Sequence, residues 1–101
     1  MHLSEIRGHI DSVDDQLIEL FCERMRLVTA AGETKSQLGL PLSDDAREQE
    51  ISARAARLAG TELASYARQF CQALFRIAKE YQVHQSASYR RSGAVDEQKN
   101  S

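Results

Sequence analysis

The chain is short of the residues that interrupt or staple a fold. Among its 101 residues there are one proline, five glycines, two cysteines and no tryptophan. The single proline, Pro41, leaves the whole stretch before it without a built-in break. Cys22 and Cys71 sit within helical patterns and lack metal-ligand spacing, so they are expected to be buried, reduced thiols and not a disulfide. No apolar run approaches the roughly 20 residues needed to cross a bilayer. The amino terminus also lacks the basic, apolar and small-residue order of a signal peptide. A cytoplasmic chain with no membrane partner is the expectation. Neither sign of charge is in excess, with thirteen basic and fifteen acidic residues giving a net charge of −2. That balance argues against a nucleic-acid grip, which wants a basic face, and leaves open a small anionic ligand that needs only a few local cations.

What the chain does have is helical periodicity. Leu3, Ile6, Ile10, Val13, Leu17 and Leu20, then Leu27, Ala31 and Leu38, recur at steps of three and four and their multiples. They predict one long helix, opened by Ser4 as a cap with Glu5 in its first turn. Gly32 is a weak point within it and a place where a backbone or ligand can come close. At about 1.5 Å per residue such a helix spans roughly 54 Å, against a radius of gyration of about 13 Å for a compact domain of this size. It overhangs any core its own chain can build.

Gly39, Leu40, Pro41, Leu42 and Ser43 read as a short loop. A second helix then starts at Ser43, Asp44 or Asp45, carries Ile51, Ala55 and Leu58, and stops at Gly60. Thr61 is positioned to cap a third, in which Leu63, Tyr66, Phe70, Leu74, Ile77 and Tyr81 repeat and are expected in the core. From residue 86 the chain turns polar and loses its period, as a disordered tail does. The expected architecture is all-α. One helical domain over 1–85, with a long, a short and a medium helix, pairs with a second copy as an intertwined homodimer, and 86–101 form the tail.

A charge interrupts the long seam. Between Leu20 and Leu27 the beat falls on Arg24, and positions one turn away hold Leu20, Leu27 and Val28. Its counter-ion comes from another segment or from a bound anion, unless the guanidinium snorkels to solvent. Lys35 lies eleven residues on, which at about 100° per residue returns it to within roughly 20° of the same face. Arg7, about 25 Å below Arg24 on the helix axis, reaches a shared ligand only from the other chain of an antiparallel pair. Asp44 and Glu48 share a face at the start of the second helix with Arg47 beside them, a set that suits either a hydroxyl-bearing ligand or plain capping and surface pairing. His2, His9 and His84 are expected at the surface.

Taken in order, these residues resemble the all-helical class of chorismate mutases over about residues 3–85. The resemblance is carried by Ile6-Arg7, Ile10-Asp11, Val13-Asp14, Leu17, Leu20, Glu23-Arg24-Met25, Gly32, Thr34-Lys35, Pro41, Asp44 and Arg47-Glu48. In the third helix it is carried by Phe70-Cys71-Gln72-Ala73 and Tyr81-Gln82. It implies an isomerase that rearranges chorismate to prephenate in aromatic amino-acid biosynthesis, with no cofactor and no metal, as a homodimer with shared sites. It further implies that Arg24 and the other chain's Arg7 bind the two substrate carboxylates, with Arg47 in support. Lys35 and Gln82 would face the ether oxygen, and Asp44 and Glu48 would hold the ring hydroxyl. Ala78 departs from the pattern, since many members have there a serine that touches a carboxylate. An isochorismate-pyruvate lyase or a 4-amino-4-deoxychorismate mutase would use nearly the same cations. In a non-catalytic helical dimerisation module, Arg24 would instead meet a protein carboxylate.

Overall fold

The computed structural model describes side chains for residues 1–85, and the tail expected at 86–101 lies outside those described residues. Three helices, α1 (Leu3–Gln37), α2 (Asp45–Ala59) and α3 (Ala64–Asn100), make the fold all-helical, with no strand among the described residues. The chain divides into two units, Met1–Leu38 and Gly39–Ser101.

The first unit is α1. His2, in extended backbone, is its N-cap and gives no side-chain bond, so Ser4 sits inside the helix and does not cap it. Glu5 in the first turn and Lys35 in the last both oppose the helix dipole favourably. The helix closes with the Leu38 N–H donating to the Thr34 carbonyl at 3.0 Å, and Gly39 takes a φ of +71°, a conformation that ends helices and suits glycine.

No residue of α1 is buried. Its half-buried positions are Phe21, Arg24, Met25, Val28, Thr29, Gly32 and Lys35, whereas Leu20 and Leu27 are more than 60% exposed. The expected seam is therefore displaced by one residue in the second half of the helix. Steps of three and four average 3.5 residues per turn, while a straight helix turns every 3.6, and the difference accumulates. Eighteen residues make about five whole turns. Phe21, Arg24, Val28 and Lys35 thus continue the line of Leu3, Ile6, Ile10 and Leu17.

The second unit packs α2 against α3 as a helical hairpin. Asp44 caps α2, its Oδ1 accepting the Arg47 N–H at 3.1 Å. Gly60, at φ +85°, closes it by donating to the Ala56 carbonyl at 3.2 Å. Thr61 then falls in the turn, where the Leu63 N–H donates to the Gly60 carbonyl, and α3 begins two residues later than a Thr61 cap would place it.

Among the described residues, the buried ones are Ser52 of α2 and Cys71, Phe75 and Ala78 of α3. Leu63, Tyr66, Phe70 and Tyr81, expected in the core, are instead exposed by 40–65%, and so is Leu58 of α2 at 78%. Helix α3 carries two adjacent stripes. The one holding Ala64, Ala67, Cys71 and Ala78 is lined by small side chains and faces a helix whose own inner positions include Ala55, Ala56 and Ala59. Two alanine-rich faces let backbones approach closely, and Phe75 fills the remaining space. Cys71 is buried and free as expected, while Cys22 is free but exposed.

Candidate functional site

Each unit carries part of the residue set that the sequence singles out. On α1, Arg24 and Lys35 lie in the half-buried stripe and Arg7 lies in the exposed first half. Arg24 stands about five turns beyond Ile6, and Lys35 about five turns beyond Leu17. Both cations therefore emerge on the apolar face of the helix. Thr29, between them, turns its hydroxyl onto its own helix and donates to the Met25 carbonyl at 2.9 Å.

In the second unit the acidic residues gather at the start of α2. Asp44 serves as the cap described above, so one of its oxygens is occupied by backbone. The Arg47 guanidinium donates to Glu50 Oε2 at 3.2 Å, one turn along on the exposed side. Glu48 points the other way. Its side chain is only 24% exposed, and Oε2 accepts from Lys79 Nζ of α3 at 3.0 Å. Ala78 is buried beside that lysine, and Gln82, half-buried, follows it at i+3 on the same side of α3.

The α2·α3 unit thus brings Glu48, Ala78 and Gln82 to one region, while Asp44 and Arg47 stand at the helix start. Two features escape a reading of the sequence. Lys79 is one: a lysine three positions before Gln82 shares its face, but nothing in the spacing reveals that it reaches Glu48. The other is Ser52, one turn beyond Glu48 and 5% exposed, whose Oγ makes no hydrogen bond among the described residues. A hydroxyl within an alanine-rich stripe looks like a surface residue until the helix is docked. His2, His9 and His84 are exposed, as expected. Among the described residues no helix is long and apolar enough to cross a membrane.

The chain matches the family model of the chorismate mutase type II domain over residues 6–83. It is 41% identical over 56 residues to a chorismate mutase of Methanocaldococcus jannaschii, an alignment covering 55% of this chain and 57% of that protein. A T-protein of Haemophilus influenzae is 46% identical over 55 residues, covering 54% of this chain and 14% of the relative. The bifunctional chorismate mutase/prephenate dehydratase of Aquifex aeolicus is 39% identical over 56 residues, covering 55% and 16%. The chain therefore spans little more than half the length of one curated relative and about a seventh of the others. No solved structure matches it.

Proposed function

This chain belongs to the chorismate mutase type II family, and we propose that it rearranges chorismate to prephenate as a homodimer with shared sites. The observation that carries this reading is the extent of the family match, residues 6–83, which contains every residue of the expected site from Arg7 to Gln82. The exposed apolar stripes support the dimer. Leu3, Ile10, Val13 and Leu17 on α1 and Tyr66 and Phe70 on α3 are each about half exposed or more. Covering one such side chain contributes about 1.5–3 kcal/mol, and a second copy of a long helix is a partner of matching length.

The reaction is intramolecular: one carbon–oxygen bond breaks as one carbon–carbon bond forms within a single molecule. The protein therefore has two tasks, to hold the substrate compactly and to stabilise charge as it appears on the ether oxygen. Arg24 and Arg7 of the partner subunit bind the two carboxylates, with Arg47 in support. Lys35 and Gln82, both hydrogen-bond donors, face the ether oxygen. Asp44 and Glu48 accept from the ring hydroxyl. Ala78 offers that pocket a methyl group where a hydroxyl would add a donor, so the carboxylates rely on the arginines. Arg24 and Lys35 suit this task because both leave α1 on its apolar face, where reduced solvent strengthens charge–charge interactions.

Incubation of the purified chain with chorismate, followed by NMR identification of the product, tests the reading. Prephenate as the sole product supports it. Release of pyruvate, or unchanged substrate, contradicts it.

A further inference from the structure

The site described above leaves Lys79 without a role, although it makes an ion pair between two helices. Arg47–Glu50 and Arg76–Glu80 each join residues of one helix on exposed surface, with side chains more than 60% exposed. Lys79 crosses from α3 to α2, and the Glu48 side chain it meets at 3.0 Å is 24% exposed. Of the acidic residues at the start of α2, Asp44, Asp45 and Glu50 are exposed, and Glu48, the one that Lys79 meets, is half-buried.

We propose that Lys79 is a positioning residue that sets specificity, compensating the charge of Glu48 so that the site takes a neutral ring hydroxyl and disfavours an ammonium in its place. The inference rests on the chorismate reading. A carboxylate has two oxygens and about four lone-pair sites. Lys79 meets Oε2 and leaves Oε1 to accept from a hydroxyl. Charge separates the two substrates. A bare Glu48 would attract an ammonium more strongly than a hydroxyl, whereas the Glu48–Lys79 pair is neutral and places a like charge within a few ångströms of any incoming cation. The neighbouring charges do not reverse this. Arg47 is matched by Glu50, and Asp44 has one oxygen taken by the Arg47 N–H and is the same whether or not Lys79 is present.

The test compares kcat/KM for chorismate and for 4-amino-4-deoxychorismate in the full chain and in Lys79→Met, Lys79→Gln and Lys79→Arg. The unaltered chain prefers chorismate. Both uncharged variants lower that preference at least about tenfold, mainly through KM for the amine, and Lys79→Arg keeps it. In an E48Q background, K79M no longer moves the ratio, because the effect passes through Glu48. Equal loss toward both substrates in K79M and K79Q, or an unchanged ratio, overturns this inference and leaves the chorismate reading standing. No turnover of either substrate by the unaltered chain overturns both.

Discussion

Lys79 Nζ of α3 lies 3.0 Å from Glu48 Oε2 of α2, a cation and a carboxylate from two helices, with Gln82 three residues after the lysine on α3. With the lysine 42% exposed, solvent screens the pair, and such pairs contribute about 0–1 kcal/mol. Lys79→Met should therefore leave the fold intact and lower stability by no more than about 1 kcal/mol. Chemical denaturation followed by circular dichroism checks this. A loss of several kcal/mol would mean that the pair is chiefly structural.

Lys35 carries a heavier expectation. Removing a donor aimed at the charge that develops in a transition state costs about 2.7–4 kcal/mol of barrier. Lys35→Ala should accordingly reduce kcat about a hundredfold to a thousandfold with an unchanged circular dichroism spectrum. Near-normal turnover in that variant removes Lys35 from the proposed site.

Gln82 makes a prediction about pH. Its amide donates without titrating near neutrality, so turnover should stay level from mildly acid to mildly alkaline conditions. Gln82→Glu should behave otherwise. A carboxyl donates only when protonated, so the variant's activity should fall as pH rises through the group's titration, while the parent profile stays flat. Coincident profiles for the two proteins would contradict the donor role.

Much of the fold is written in the residue pattern, because Pro41, Asp44 and Gly60 punctuate it by local chemistry alone. What the pattern hides is rotation about each helix axis. Counting Leu20 and Leu27 into the seam of α1 assumes 3.5 residues per turn, and the straight helix moves the half-buried line to Phe21 and Val28. Tyr66 and Phe70 mark the more hydrophobic stripe of α3, yet α2 covers the small-residue stripe next to it, which holds Cys71 and Ala78. For the candidate site, Arg24 is legible as a charge interrupting an apolar line and Lys35 as a second cation on the same face. The Lys79–Glu48 pair is not, since it depends on the register between α2 and α3, which no spacing along one helix encodes.

Ser52 tests that register through stability. Its hydroxyl is 5% exposed and makes no hydrogen bond among the described residues, and an unsatisfied buried polar group costs about 1–3 kcal/mol. Ser52→Ala should raise stability by about 1 kcal/mol and the Tm by several degrees, read by calorimetry. A clear fall in Tm would show that the hydroxyl is satisfied and that α2 docks in another rotation.

The central claim is that this chain turns over chorismate in a site completed by a second copy, and subunit mixing tests it most directly. Arg7→Ala and Lys35→Ala, each nearly inactive alone, should recover about a quarter of the unaltered rate per chain when equal amounts are unfolded and refolded together. That is the fraction of sites that random pairing leaves intact if Arg7 acts across the interface. A mixture no more active than the two variants measured apart would contradict the account.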